Sequence, residues 1–283
     1  MNVAAFALEK VSSRRDTRHH DAKGRSMYAL ANPANFMRLS GRVLPWLAAL
    51  SAATLAVGLY LGFASPADYQ QGETAKIMFV HVPAAWIASL AYAAMAASAL
   101  GTLVWRHPLA EAAQKAVVPL GAAFAFVCLV TGSLWGKPMW GTYWVWDARL
   151  TSMLVLFITY LGLLALWHTI EEPGRAARAA SVLTLVGAIN LPIVKFSVDW
   201  WNTLHQGSIF RMTGSTVDRS ILVPLLVMAV GFTLLFATLH IASIRNEILR
   251  RRVRRLMLAA AADREPAARL APSDGLATEA ALS

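Results

Sequence analysis

Residues 114–170 read QKAVVPLGAAFAFVCLVTGSLWGKPMWGTYWVWDARLTSMLVLFITYLGLLALWHTI, two apolar runs joined by a short aromatic link. A spanning helix needs about 20 mostly apolar residues to cross about 30 Å of hydrocarbon. The runs 114–135 and 150–170 reach that length and are too continuous for strands. Lipid offers no partner to a free peptide group, so each run must satisfy its own backbone as an α-helix. The link carries Trp135, Trp140, Trp144 and Trp146 within twelve residues, with Asp147 and Arg149 beside them. The stretch is a membrane hairpin with tryptophan at its bend.

Outward from this hairpin, four further runs qualify by the same test: 44–64, 77–103, 180–197 and 220–243. The fold class is therefore all-α, a polytopic membrane protein with six transmembrane helices. Composition agrees. The 283 residues are 57% hydrophobic and 15% charged, against about 25% charged in a soluble domain. Pro119, Pro192 and Pro224 fall inside or near the ends of these runs, and neighbouring helices can cover the carbonyls they free. The absence of an internal repeat leaves an inverted-repeat transporter without support.

Lys and Arg set the orientation. Of the 26, sixteen lie in residues 1–43 or after 243, and Arg106, Lys115, Arg175 and Arg178 sit in two short loops on the same side. Lys76, Lys137, Arg149, Lys195, Arg211 and Arg219 remain for the other side. Twenty against six places both termini in the cytoplasm and turns loops 65–76, 136–149 and 198–219 outward. Three parts follow: a basic tail (1–43) expected to lack structure, a six-helix body (44–243) with outer loop 136–149, and a basic tail (244–283). The second tail begins as a basic helix suited to anionic lipid and is expected to lose structure after about residue 260. The net charge of +10 thus belongs to membrane flanks and a lipid bilayer. No nucleic-acid motif accompanies it, so nucleic acid is not an expected partner.

The outer side also holds the chemistry. Among seven histidines, only His81 and His205 belong to it, and six of the ten tryptophans do. The single cysteine, Cys128, excludes dithiol chemistry and a CxxCH haem attachment and reads as core packing. Two imidazoles, flat aromatic surface and several cations are what a haem requires. Iron takes imidazole nitrogen axially, indoles pack on the macrocycle, and Arg or Lys pairs with propionates. Zinc fits poorly, because two histidines lack a local third ligand.

Plainer readings stand beside this one. A tryptophan-rich rim is commonly an interfacial belt, and a lone outer histidine is commonly a satisfied rim residue. The belt leaves the crowding of Trp144, Trp146 and Asp147 near Gly141 unexplained. A helical link would align Trp140, Trp144 and Asp147 on one face, and an extended one would align Trp140, Trp144 and Trp146. Gly141 and Pro138 permit both. Asp147 repels propionates, so its role is to hold the loop by accepting hydrogen bonds or pairing with Arg149. Arg149 is the first propionate partner, with Lys137 and Arg211 behind it, and Lys195 snorkels. Ser215 to Asp218 reads as a capping box before the sixth helix.

The run Trp140-Gly-Thr-Tyr-Trp144-Val-Trp146-Asp147-Ala-Arg149-Leu-Thr151 resembles the WWD signature, W-G-x-x-W-x-W-D, of haem-handling membrane proteins in cytochrome c maturation. With six helices and one outer histidine on each side of the loop, the chain resembles the haem exporter protein C (CcmC) family over about residues 36–250. The resemblance implies that haem b is bound transiently at the periplasmic face of the bacterial inner membrane. Trp135, Trp140, Trp144, Trp146, Asp147 and Arg149 would line it, and His81 and His205 would be its axial ligands. It implies delivery to the haem chaperone CcmE, beside the small membrane protein CcmD and the ABC transporter subunits CcmA and CcmB. The chain has no Walker motif, so ATP dependence would come from those partners, and the resemblance implies a delivery component rather than an enzyme. The alternative, a haem-containing redox subunit such as that of a quinone oxidoreductase, needs histidine pairs at two depths. Only His168 and His240 offer one. A permease would need a polar path through helices that are almost wholly apolar.

Overall fold

The computed structural model describes residues 32–201, 203–205, 207, 210–211, 214–215 and 217–270. Its helices are α1 (Pro33–Ala64), α2 (Met78–Trp105), α3 (Pro108–Trp140), α4 (Ala148–Thr169), α5 (Pro173–Gly187), α6 (Asn190–Trp200) and α7 (Arg219–Leu270). A 3-10 turn, Glu73–Ile77, runs directly into α2. A two-residue antiparallel pair, β1 (Phe210–Arg211) with β2 (Gly214–Ser215), interrupts the last loop. Among the described residues six stretches are long and apolar enough to cross a membrane, with α5 and α6 together forming the fifth.

The helix starts follow from their caps. Asn32, His107 and Asp147 each accept a hydrogen bond from a backbone N–H of the first turn, and Pro33, Pro108 and Pro173 occupy first-turn positions where a missing N–H costs nothing. The spans match the six apolar runs, but three ends differ from the sequence reading. First, α1 begins at Pro33, eleven residues before its apolar run. Second, α7 is one helix of 52 residues, about 78 Å long at about 1.5 Å per residue. Residues 244–270 therefore continue the last span, and residues 260–270 are helical rather than unstructured. Residues 1–31 and 271–283, also expected to lack structure, lie outside the described residues. Third, Ser215 belongs to β2, and because α7 starts at Arg219 the N-cap position falls on Asp218 rather than Ser215. Asp218 itself caps α7, accepting from the Ser220 N–H at 2.8 Å, which holds its carboxyl below the usual carboxylate range.

The break between α5 and α6 has a local cause. Pro192 has no N–H for the Ala188 carbonyl and its ring would collide with it. That carbonyl instead accepts from Leu191 N at 3.0 Å, one residue early. Asn190 ties the break to α4 by donating to the Ser152 carbonyl at 2.8 Å.

The main core lies between α2, α3, α4 and α5, with Phe236 of α7 packed into it. Tyr160 fills a slot opened by Gly121 and donates to the Ala88 carbonyl at 2.8 Å. Tyr92 fills the slot at Gly187 and donates to the Thr184 carbonyl at 3.1 Å. At the end opposite the tryptophan bend, α7 is pinned on two sides. Glu247 pairs with Lys115 of α3, and Arg251 pairs with Glu247 and Glu111. Arg245 donates to the Met37 carbonyl and Ser40 hydroxyl of α1.

Candidate functional site

The tryptophan bend is part helix and part loop. α3 continues to Trp140, so Trp135 and Trp140 are helical and the loop proper is 141–147, shorter than the expected 136–149. Gly141 ends α3 at φ +73°, a left-handed position that glycine adopts without strain. Lys137 caps this end by donating to the Gly141 carbonyl at 2.9 Å and lies over the Tyr143 ring.

Asp147 closes the loop as the N-cap of α4. Its Oδ1 accepts from Leu150 N at 2.7 Å. Its Oδ2 lies 2.9 Å from Nδ1 of His205. The pair is sheltered, with side chains 6% and 17% exposed. Burial holds the His205 imidazolium below its ordinary range, outweighing the hydrogen bond and charge of Asp147 that favour it. A carboxylate only accepts, so Nδ1 of the neutral ring carries the proton and Nε2 keeps its lone pair.

His81 reaches the same state by other means. It sits in the first turn of α2, with Nδ1 3.0 Å from the Cys128 carbonyl and 3.1 Å from the Thr131 hydroxyl. That hydroxyl gives its hydrogen to Val127 O at 2.7 Å, so both neighbours accept from Nδ1–H. Again Nε2 is left. Gly132 makes room for the ring.

The four tryptophans divide into two pairs of roles. Trp135 meets His81 edge-on with centroids 5.8 Å apart, and its N–H donates to Gln71 at 2.8 Å. Trp140 packs against Gly136 and meets His205 at 5.0 Å. Trp144 and Trp146 contact each other edge-on at 5.4 Å. Trp146 is 75% exposed, whereas the Trp144 N–H is buried without a partner among the described residues, a costly state that a ligand acceptor would relieve. Arg149 makes no ion pair with Asp147 among the described residues. Its guanidinium instead donates to Ser197 Oγ at 3.4 Å and Lys195 O at 3.2 Å, tying α4 to α6.

This donor set fits haem. Two imidazoles offer Nε2, each beside an indole, and the Trp144 indole N–H in loop 141–147 has no partner among the described residues. Among the described residues no cluster of three or more His, Cys, Asp or Glu could hold a bare metal ion. A family model described as heme exporter protein C matches residues 26–259. The chain belongs to the haem exporter protein C family. It is 66% identical over 230 residues to heme exporter protein C of Bradyrhizobium diazoefficiens, covering 81% of this chain and 88% of that one. Against heme exporter protein C of Escherichia coli K12 the identity is 50% over 226 residues, covering 80% and 91%. A ccmC-like mitochondrial protein of cytochrome c biosynthesis from Marchantia polymorpha is 43% identical over 221 residues, covering 78% and 94%.

In this family member the two histidines and the tryptophans rest on supports that the sequence did not single out. Gln71 is presented by a turn in which Asp68 accepts from Gln70 N and Gln71 N. Gly132 and Gly136 lie one helical turn apart, as do Gly136 and Trp140. That small-residue row was readable and marks where rings pack on α3. The Cys128 carbonyl was not readable, because its role is independent of the side chain. Trp200 and Trp201 are half exposed, with Trp200 stacked on Phe196 at 5.5 Å, and resemble a belt. The side chain of Arg211 lies outside the described residues.

Proposed function

We propose that the protein handles haem for c-type cytochrome biogenesis, holding haem b transiently and passing it to the chaperone CcmE. One observation carries the reading. His81 and His205, from separate elements, each have Nδ1 engaged and, among the described residues, Nε2 without a partner beside an indole. Nε2 is the nitrogen that haem iron takes. Trp135, Trp140, Trp144 and Trp146 supply the aromatic surface and Asp147 the support of His205. Arg149 is the propionate partner, since its charge sits between the loop and α6. An exposed Trp146 suits a site that must release its cargo as well as bind it. The name shared by the relatives supports the haem assignment.

The excess of Lys and Arg at the end opposite the tryptophan bend supports cytoplasmic termini and a site facing the periplasm of a bacterial inner membrane. CcmD and the ABC subunits CcmA and CcmB are the expected partners, and any ATP is theirs to hydrolyse. The protein acts as a delivery component. The redox alternative gains nothing from the other histidines. His240 turns its Nε2 to Ala113 O, and His168 stands exposed on the last turn of its helix rather than inside the bundle.

The test is an absorption spectrum of the purified protein co-expressed with its chaperone, with haem counted per chain. His81→Ala and His205→Ala should each weaken haem retention and chaperone loading. Wild-type spectra and full loading from both variants would refute the reading, and two haems per chain would favour the redox subunit.

A further inference from the structure

The two imidazoles are held by unlike acceptors. Nδ1 of His205 faces a carboxylate oxygen of Asp147 at 2.9 Å, within a pair that is largely shielded from water. Nδ1 of His81 faces a peptide carbonyl and a hydroxyl, both neutral. The Cys128 carbonyl belongs to a helix, where it is already an acceptor for the next turn. A carboxylate behind a ligating histidine pulls on Nδ1–H and makes Nε2 a stronger electron-pair donor. A neutral carbonyl does so less.

Asp147 is also fixed in a way that a mobile side chain could not be. Its other oxygen caps α4, so the rigid start of that helix sets the position of Oδ2. The His205 backbone is restrained in turn, its N–H donating to Thr203 Oγ1 at 2.9 Å. Trp140 closes over the ring at 5.0 Å. Arg149 makes no ion pair with this carboxylate among the described residues, because its own hydrogen bonds go to Ser197 Oγ and Lys195 O.

We infer that Asp147 is a positioning residue that makes His205 the stronger, retained iron ligand and leaves His81 as the one exchanged when haem is handed on. The inference rests on the haem reading above and deepens it. In the exchange the His81 Nε2–iron bond breaks and its electron pair returns to the nitrogen. An incoming neutral donor supplies a pair in its place, and the iron keeps its oxidation state. The tautomer at His205 is fixed before haem arrives, so the asymmetry is a property of the protein alone.

The experiment uses the full-length, haem-loaded protein in detergent, reduced and exposed to carbon monoxide, with the iron–histidine stretch recorded by resonance Raman after photolysis. Carbon monoxide should displace His81, so wild type and His81→Ala should share one stretch, and His205→Ala should give a lower one. Asp147→Asn keeps the cap, because an amide oxygen still accepts from Leu150 N, but it presents no anion to His205. It should lower the wild-type stretch and weaken haem retention about 10- to 100-fold. Asp147→Glu should recover part of both. If Asp147→Asn sheds haem entirely, restoration by free imidazole supports the assignment and its failure overturns it. A wild-type stretch matching His205→Ala, or an unchanged stretch in Asp147→Asn, also overturns it. A His205→Ala protein with unaltered axial ligation would instead sink the haem reading beneath.

Discussion

Gly132 faces the His81 ring so closely that a Cβ there would lie 2.8 Å from Cε1. The glycine is therefore part of the site although it carries no chemistry. Gly132→Ala should raise the helix preference of α3 by about 1 kcal/mol while pushing the imidazole off the Cys128 carbonyl. Haem content per purified chain should fall although the melting temperature holds or rises. A drop in both together would mean that Gly132 serves packing alone.

Cys128 offers the converse case. Its thiol is buried in the core, and its carbonyl holds His81. Cys128→Ala keeps the carbonyl and removes only a small apolar group. Haem spectrum and chaperone loading should match wild type. A spectral change would give the sulfur a part in the site that its geometry denies.

These two residues illustrate what the sequence could disclose. The six spans were legible because lipid demands long apolar helices, and the meeting of His81 and His205 with the tryptophans at one bend was legible because the order of the spans puts all of them on one side. The start of α1 was not, since Pro33 and Asn32 set it through capping rather than hydropathy. The division of the bend at Gly141 was equally hidden. Pro138 gave no reason to extend α3 past residue 135, yet a proline late in a helix loses only one hydrogen bond. The second role of Asp147 needed the fold, because His205 is 58 residues away in the chain. No local pattern encodes that meeting.

Gly121 tests the core independently of haem. A Cβ there would lie 2.1 Å from the Tyr160 ring and 2.3 Å from its hydroxyl oxygen. Tyr160 is fully buried and has nowhere to retreat. Gly121→Ala should cost about 1–3 kcal/mol. Tyr160→Phe, which removes only the bond to Ala88 O, should cost about 0.5–1.5 kcal/mol. Thermal unfolding in one detergent compares them. The order reverses if α3 and α4 separate easily.

Arg149 joins two tasks that one pair of substitutions can separate. Its guanidinium bridges to Ser197 and Lys195 O, so it steadies α6, which leads into the loop bearing His205. It is also the proposed propionate partner. Lysine keeps the charge but not the planar fork that reaches two acceptors. Arg149→Lys and Arg149→Ala should therefore lose stability alike, within about 1 kcal/mol of each other. They should differ toward the ligand. Wild type and Arg149→Lys should retain haem better than its dimethyl ester, which has no propionate charge. Arg149→Ala should retain both equally. Competition between the two porphyrins, read from the pigment bound after gel filtration, makes the comparison. A preference for free-acid haem that survives in Arg149→Ala would move the propionate contact to another cation.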